Sequence, residues 1–504
     1  MKNKTVANSK LKYYNTHILP FERDKRMKKV ISLVLAFTLL FAMTVPAFAT
    51  ETKSESNYNG LPVIIVRGID FAGLTYPNGT KALQVDAGKI ISTLMSSMFM
   101  TRGQLTDSIF DIANEILSPL ACDNEGNSIE NISMVQYHGS MANHPDFVAN
   151  LLDNGEEGIV KTAVEKYGAE NTYYFTYDWR KQPKDIATEL NSFVEDAKKT
   201  TGKNQVNIIC ASMGGMVTTA YMYYFGTENI NSAVYLSGAQ NGTYVCGEAL
   251  NGNIVFEKKV LTGFLKDATN NNLFLRILLG ALDHAGVLDR TVKFANDLVT
   301  DTFDDANDRV LRNCFGTLCG FWALCPDECF DGGVETIFGG HESEYPVLLE
   351  KIAETKKFVF STEETLKNAR NNGVKISFVS NYNGTLAPVH PKANYNGDGV
   401  LETELTSNFA VVAPLNEELS LEQIAAANPK YLSPDNVIDA TPALFPDNTW
   451  FVKHAPHVAA DYGTEFSVFT FTLLESTVQP NVDMFSQYPQ FMSANGELDL
   501  KPLD

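Results

Sequence analysis

Residues 206–221 read VNIICASMGGMVTTAY, and this stretch decides the fold. Its first five residues form an apolar run rich in β-branched side chains, which predicts a buried strand. Ser212 follows in a small-x-Ser-x-Gly pattern, and an apolar stretch with helical spacing comes after it. A strand, a tight turn centred on serine and a helix are typical of a nucleophile elbow, where the neighbours of the serine must be small. The Met213 N–H, at the helix start, then faces a developing oxyanion.

The chain beyond this serine supplies an acid and a histidine in the order that α/β-hydrolases use. Residues 374–380 predict a buried strand, and a Gly-Asp-Gly turn with Asp398 at its centre follows. Residues 448–453 predict the last strand, His454 ends it, and His457 lies past a proline in the loop that enters a helix. This position favours His457 as general base, with Asp398 fixing its tautomer. It leaves His454 a packing or supporting role.

An earlier apolar strand completes the predicted site. Residues 61–66 form this strand, and Arg67-Gly68-Ile69-Asp70 closes it. In an α/β-hydrolase, a loop after an early strand supplies the second oxyanion N–H. The backbone of Asp70 is our candidate for that donor, and its side chain is predicted to be a solvated loop carboxylate.

With these residues placed, the chain resembles the lecithin:cholesterol acyltransferase family of α/β-hydrolases over most of its length. The most specific match is Tyr177-Asp178-Trp179-Arg180, followed by an amphipathic helix predicted over 185–199. Further segments resemble the strand that ends in Gly-Ala-Pro, the Trp-Leu-Leu-Pro segment and the acid turn of the family; they are 234–243, 321–326 and 397–400. The motif at 177–180 also has a structural interpretation, in which Asp178 and Arg180 pair to hold their loop.

The resemblance implies a serine hydrolase or O-acyltransferase that acts on lipid esters through an acyl-enzyme on Ser212. Both reactions use the same catalytic residues, so the sequence does not choose between them. Three positions depart from the family pattern: Ala211 replaces His, while Arg67 and Gln240 each replace Pro. None of them is a predicted triad member. The departures at Ala211 and Arg67 support one alternative, a non-catalytic exported binding protein with the same fold, and the intact Ser–Asp–His order argues against it.

The N-terminus has the pattern of a secretory signal peptide. Residues 25–29 are basic, 30–45 are almost wholly apolar, and Ala47-Phe48-Ala49 provides a small-x-small cleavage site after Ala49. The polar stretch before Met27 is unusual for a signal, so the chain starts at Met1 or Met27. The sequence therefore predicts a secreted, extracellular protein.

The charge of the chain argues against nucleic acid as a partner. Residues 1–49 hold nine of the 40 Lys and Arg and two of the 60 Asp and Glu, so removing them leaves 31 against 58, a net charge of −27. Such a chain does not bind nucleic acid or anionic membranes by charge. No histidine or carboxylate cluster has metal-ligand spacing, and we expect neither a cofactor nor a metal. The expected partner is a lipid or other hydrophobic ester, with transient contact to a lipid surface.

The spread of the predicted triad along the chain favours one α/β-hydrolase core with an inserted helical cap. The core consists of a mostly parallel sheet flanked by helices. We expect the signal segment at 1–49, the core at 55–243 and 355–480, the cap at 244–354 and a polar, loosely packed tail at 481–504. The apolar stretches 90–100 and 273–279 are interpreted either as core and cap packing or as lipid-contacting surface.

Seven cysteines are present, and four of them crowd together at Cys314, Cys319, Cys325 and Cys329. In an exported protein this cluster predicts one or two local disulfides within the cap. A zinc site is the alternative, although the spacing lacks the Cys-x2-Cys knuckle. Cys210, inside the nucleophile strand, is predicted to be a free and unreactive thiol.

Overall fold

The structure is a computed structural model. It describes residues 60–71, 73–83, 117–154, 158–255, 307–387, 391–392, 395–457, 464–495 and 498–503, with isolated positions between these ranges. The signal segment 1–49 and the apolar stretches 90–100 and 273–279 lie outside the described residues. Their interpretation therefore stays a prediction.

One central sheet organises the described chain. The strands are β1 Val63–Val66, β2 Leu74–Thr75, β3 Ser133–Met134, β4 Thr172–Phe175, β5 Val206–Ala211, β6 Ile230–Leu236, β7 Lys375–Tyr382, β8 Val411–Val412, β9 Ile438–Asp439, β10 Thr449–Lys453, β11 Phe491–Ala494 and β12 Leu500–Pro502. Eight of them form a sheet in the order β4-β1-β5-β6-β7-β10-β11-β12, where only β11 and β12 pair antiparallel. The pairs β2–β3 and β8–β9 form two small antiparallel sheets.

Helices flank this sheet. Those described are α1 Pro145–Asn154, α2 Gly158–Tyr167, α3 Pro183–Thr201, α4 Met213–Phe225, α5 Tyr244–Leu250, α6 Cys319–Trp322, α7 Asp327–Phe338, α8 Pro346–Val359, α9 Thr362–Asn371, α10 Thr403–Thr406, α11 Leu421–Ala426 and α12 Thr464–Leu474. A π-helical segment spans Asn307–Gly316, and 3-10 turns cover Ser118–Leu120, Met141–Asn143, Glu342–Glu344 and Pro446–Asn448.

Both faces of the sheet are buried, as parallel strands with crossover helices require. Side chains alternate along β1, so that Ile64 and Val66 join the core that contains α3 and α4. Val63 and Ile65 point the other way and join the core that contains α2 and α12. The predicted α/β fold, with a mostly parallel sheet between two helical layers, is confirmed.

The elements that frame the predicted site form close to where the sequence predicts them. The predicted strands at 61–66, 374–380 and 448–453 correspond to β1, β7 and β10, and the amphipathic helix at 185–199 lies within α3. Pro183 begins α3, and Gly202, at φ 67°, ends it in the left-handed conformation that glycine adopts without strain.

Helical segments fill the described part of the stretch predicted as a cap. Trp322 is fully buried there, with its ring 5.4 Å from Phe330 and 6.1 Å from Phe338. The helix that carries it is bonded to the core, because Gly320 N donates to Arg180 O at 3.0 Å. The segments at 177–180 and 321–326 are therefore packed against each other.

The structural interpretation of the 177–180 motif is confirmed. Arg180 Nε and Nη2 donate to Oδ1 and Oδ2 of Asp178 at 2.9 and 2.7 Å, and Arg180 is 1% exposed. Arg180 Nη1 also donates to Ser128 Oγ at 2.9 Å. A bidentate, buried pair with a third bond holds this turn and the loop before β3 together.

The prediction of a loosely packed tail at 481–504 is wrong. β11, within this segment, pairs parallel with β10, and β12 pairs antiparallel with β11. Met492 is fully buried and Phe491 is 7% exposed. The apolar run in β11 is too short to indicate a strand by itself. It forms a strand here because the edge of β10 offers backbone groups to pair with.

The predicted disulfides within the cysteine cluster are also absent, since all seven cysteines are free and buried. A β-carbon on Gly126 would lie 2.9 Å from Cys319 Sγ, whereas one on Gly247 would lie 2.9 Å from Cys329 Sγ. Cys319 and Cys329 thus face different parts of the fold, although they are close in sequence. Burial raises the pKa of both thiols to about 11, which favours the unreactive neutral form.

Candidate active site

Ser212 is held in a strained backbone conformation between β5 and α4. Its φ and ψ are 54° and −130°, a region that residues with a side chain rarely adopt. Three bonds fix it: Ser212 N donates to Leu236 O at 3.2 Å, and Ser212 O accepts from Ala239 N and Gly215 N at 2.8 and 2.9 Å. The strand that follows in the chain therefore holds the turn that presents the serine.

Small residues around this turn are required by contact as well as by backbone shape. A β-carbon on Gly214 would collide with Val66 O, and one on Gly215 would lie 2.8 Å from Gly238 Cα. A β-carbon on Gly68 would lie 2.7 Å from Ser212 Cβ. The loop after β1 thus approaches the serine directly, as the sequence predicts for an oxyanion loop.

The two predicted oxyanion donors lie on the elements expected for them. Met213 is the first residue of α4, where a backbone N–H has no acceptor within the helix. Asp70 lies in the loop after β1, but its side chain is not the solvated carboxylate predicted. Its Oδ1 accepts from Gly73 N at 2.9 Å, and its Oδ2 lies 3.4 Å from Arg67 Nη1. The carboxylate therefore stabilises the shape of this loop.

The structure brings Asp398 and His457 together. Asp398 is 4% exposed, and its Oδ2 lies 2.7 Å from His457 Nδ1. Its Oδ1 accepts from the N–H groups of Val400 and Leu401 at 2.9 and 2.8 Å. Burial acts to raise the pKa of Asp398, but the adjacent imidazole and the two N–H bonds outweigh it and lower that pKa overall. Asp398 is thus ionised at neutral pH.

His454 lies elsewhere and is exposed. It has φ 64° at the end of β10, its N donates to Tyr382 O at 2.8 Å, and its Nε2 lies 2.8 Å from Asn383 Nδ2. Of the two roles predicted for His454, packing is excluded because the ring is exposed, while a supporting role stays a prediction. Of these two histidines, His457 is the one that contacts Asp398.

The sheet places the three predicted side chains at one edge. Ser212 follows β5, Asp398 follows β7 and His457 follows β10, and these strands run parallel with only β6 between β5 and β7. Ligands of open α/β sheets bind beside the carboxyl ends of the strands. Among the described residues, no hydrogen bond joins Ser212 Oγ to His457. Such bonds often tighten only when substrate is bound.

Sequence reasoning missed several residues that support this site. Asn381, on β7, donates from Nδ2 to Pro456 O at 2.9 Å and so holds the loop that carries His457. Gln240, noted only as a departure from the family, donates to Thr406 O and Asn408 Oδ1, each at 3.1 Å. No local pattern marks either residue, because each one acts on a segment more than 70 residues away.

Glu402 is the third residue that sequence reasoning missed. It is fully buried four residues after Asp398, and its Oε2 accepts from Tyr244 N at 3.3 Å. Burial raises its pKa to about 7, and the Asp398 charge adds to the rise. A buried acid that titrates near neutral pH beside a candidate catalytic pair is a feature that active sites often show.

Among the described residues, no group of three or more His, Cys, Asp or Glu side chains is arranged to hold a metal ion. Within the same part of the chain, no helix has the length and apolar character needed to cross a membrane.

No protein-family model matches this chain, and no curated protein matches it significantly. A solved structure described as "The crystal structure of Tle4-Tli4 complex" is similar to it, with a TM-score of 0.36 and 10% sequence identity. The similarity covers 83% of this chain and 99% of that chain. A likeness at this level carries no conclusion about activity.

Proposed function

We propose that this protein is a serine hydrolase or O-acyltransferase that forms an acyl-enzyme on Ser212 from ester substrates. The observation that carries the proposal is the 2.7 Å contact between Asp398 Oδ2 and His457 Nδ1, at the sheet edge where the strained Ser212 follows β5. An ionised carboxylate favours the tautomer with a proton on Nδ1, which leaves Nε2 to act as the base.

The reaction proceeds in two steps that share these groups. Ser212 Oγ attacks the ester carbonyl carbon while His457 Nε2 takes the hydroxyl proton, and the C–O bond to the leaving alcohol then breaks as that proton passes to the alcohol oxygen. In the second step, water or another alcohol gives its proton to His457 and attacks the acyl carbon. Ser212 leaves and regains the proton. Asp398 stays ionised and stabilises the imidazolium formed in each step.

Two backbone N–H groups stabilise the oxyanion of each tetrahedral intermediate. The donors are those of Met213, at the start of α4, and of Asp70, in the loop that Gly68 brings against the serine. Donors fixed before the reaction need no reorganisation as charge develops. Electrostatic stabilisation of the oxyanion is therefore usually the largest contribution to catalysis in such sites.

The substrate class within this proposal is a lipid ester. The resemblance to the lecithin:cholesterol acyltransferase family supports it, and a net charge of −27 without residues 1–49 favours neutral or zwitterionic lipids over anionic ones. Secretion after cleavage at Ala49 and transient contact with a lipid surface belong to the same proposal.

A series of nitrophenyl esters from acetate to laurate tests the proposal, with and without a chelator. We expect kcat/KM to rise with chain length, by up to ~0.8 kcal/mol for each methylene buried, and the chelator to have no effect. Adding a medium-chain alcohol and measuring ester product compares acyl transfer with hydrolysis. Highest efficiency on acetate would overturn the lipid assignment alone. If no ester is cleaved, the hydrolase proposal is wrong and the non-catalytic binding protein is the better account.

A further inference from the structure

Glu402 connects the turn that carries Asp398 to the first helix after β6. Its Oε2 accepts from Tyr244 N at 3.3 Å. Thr243, the residue before Tyr244, caps α5 because its Oγ1 accepts from Val245 N at 3.2 Å. The start of α5 is thus bonded to Glu402 through the backbone N–H of its first residue.

The position of Glu402 is coupled to that of Asp398 through the backbone. Gly397 and Glu402 form an antiparallel bridge, and Asp398 N donates to Leu401 O at 3.1 Å. Leu401 N is one of the two groups that bind Asp398 Oδ1. On the other side of Glu402, Thr403 Oγ1 donates to Asn381 O at 2.9 Å. A displacement of Glu402 would therefore move the donors that orient Asp398.

Two carboxyl groups and a thiol lie near Glu402. The charge of Asp398, in the acid turn, acts against ionisation of Glu402. Cys246, on α5, lies near it as a neutral thiol, because burial raises the pKa of Cys246. Tyr244 contributes its N–H from the same helix. Glu404, two residues further on in α10, interacts instead with Glu328 and Lys392.

We propose that Glu402 is a positioning residue for the Asp398–His457 pair: its carboxyl group ties the acid turn to the start of α5 through the N–H of Tyr244. The inference rests on the proposed function, since it assigns a role to Glu402 only if His457 is the base of the reaction. Glu402 does not touch the reacting atoms. It acts on the orientation of groups that do.

Two variants test this role. Glu402→Gln keeps a side-chain oxygen that can accept from Tyr244 N, while Glu402→Ala removes it. Glu404→Gln is the matched control, because it neutralises a partly buried acid two residues away that does not act on Asp398. Each variant is assayed for ester cleavage between pH 5 and 9, with thermal unfolding recorded for all of them.

We expect Glu402→Ala to lower kcat at least about tenfold with little change in KM, because the acid turn loses its bond to α5 and Asp398 is displaced. In Glu402→Gln, the amide oxygen can still accept from Tyr244 N, so kcat should return towards wild type. Glu404→Gln should match wild type. A folded Glu402→Ala variant with wild-type kcat would overturn the inference, and so would a folded Glu402→Gln variant at least about tenfold slower than wild type. Ser212→Ala, assayed in parallel, keeps the two failures apart: an active Ser212→Ala variant refutes the proposed function itself.

Discussion

Gly68 lies directly against Ser212. A β-carbon at position 68 would fall 2.7 Å from Cβ and 3.1 Å from Oγ of Ser212. Real side chains do not approach this closely, so any side chain at this position must displace either the serine or the loop after β1. The loop is not free to move away, since Tyr177 OH donates to Arg67 O at 2.9 Å.

We therefore predict that Gly68→Ala lowers kcat/KM about 10²-fold, because a small displacement at a reacting group has an effect of this size. Gly79→Ala is the control, since Gly79 has φ 81° and no atom within 4 Å of its missing β-carbon. It should lower the free energy of unfolding by about 1 kcal/mol through backbone strain and leave activity unchanged. Equal activity in the two variants would show that the contact between Gly68 and Ser212 does not matter for the reaction.

The second prediction separates the two histidines. His457→Ala should lose at least about 10³-fold in kcat, because it removes the base that Asp398 orients. His454→Ala removes an exposed ring bonded to Asn383 and should stay within about threefold of wild type. Steady-state kinetics on one nitrophenyl ester measure both. An inactive His454→Ala variant together with an active His457→Ala variant would show that His454, not His457, is the base.

The third prediction concerns the Asp178–Arg180 pair. Asp178→Ala leaves the guanidinium of Arg180 buried without its carboxylate, and we expect the free energy of unfolding to fall by about 3–5 kcal/mol. Lys181→Ala breaks the neighbouring exposed pair with Glu189 and should cost at most about 1 kcal/mol. Urea unfolding of both variants gives the comparison. Similar losses in the two would contradict the structural role that we assign to the 177–180 motif.

The fourth prediction concerns stability and pH. The pKa of Glu402 is raised from 4.5 to about 7 by burial, so the stability that its neutral form provides is complete below pH 4.5 and is lost as pH rises through about 7. The loss amounts to about 3 kcal/mol, at 1.36 kcal/mol for each pKa unit.

Glu402→Gln cannot ionise and should not show this loss, so the difference in unfolding free energy between variant and wild type should grow between pH 4.5 and 7. Urea unfolding at several pH values measures that difference, and the other titrating groups cancel because both proteins share them. A constant difference across this range would mean that Glu402 does not titrate there.

Much of the site follows from local pattern and chain order. The apolar run before Ser212 and the small residues around it predict β5, the turn and α4 because strand, turn and helix signals lie within sixteen residues. The pairing of Asp398 with His457 was predictable from their order after the serine, since parallel strands bring their carboxyl ends to one edge. The proline before His457 distinguished it from His454 in the sequence.

The features that sequence reasoning missed depend on distant partners. Glu402 is buried because α5 begins against it, and nothing in the residues around position 402 encodes that contact. β11 forms only because β10 offers an edge, and its four residues are too few to stand out by periodicity. The cysteine cluster suggested disulfides from spacing alone, but Cys319 and Cys329 face different loops.

The central claim is that Ser212 is a nucleophile activated by His457, and reaction with a fluorophosphonate followed by intact-mass measurement and peptide mapping tests it most directly. We predict that the wild-type protein gains one phosphonyl group, on the peptide that contains Ser212. Ser212→Ala should gain none, and His457→Ala should react at least about 10²-fold more slowly because its serine lacks a base. An unlabelled wild-type protein, or equal labelling of wild type and Ser212→Ala, would contradict this account.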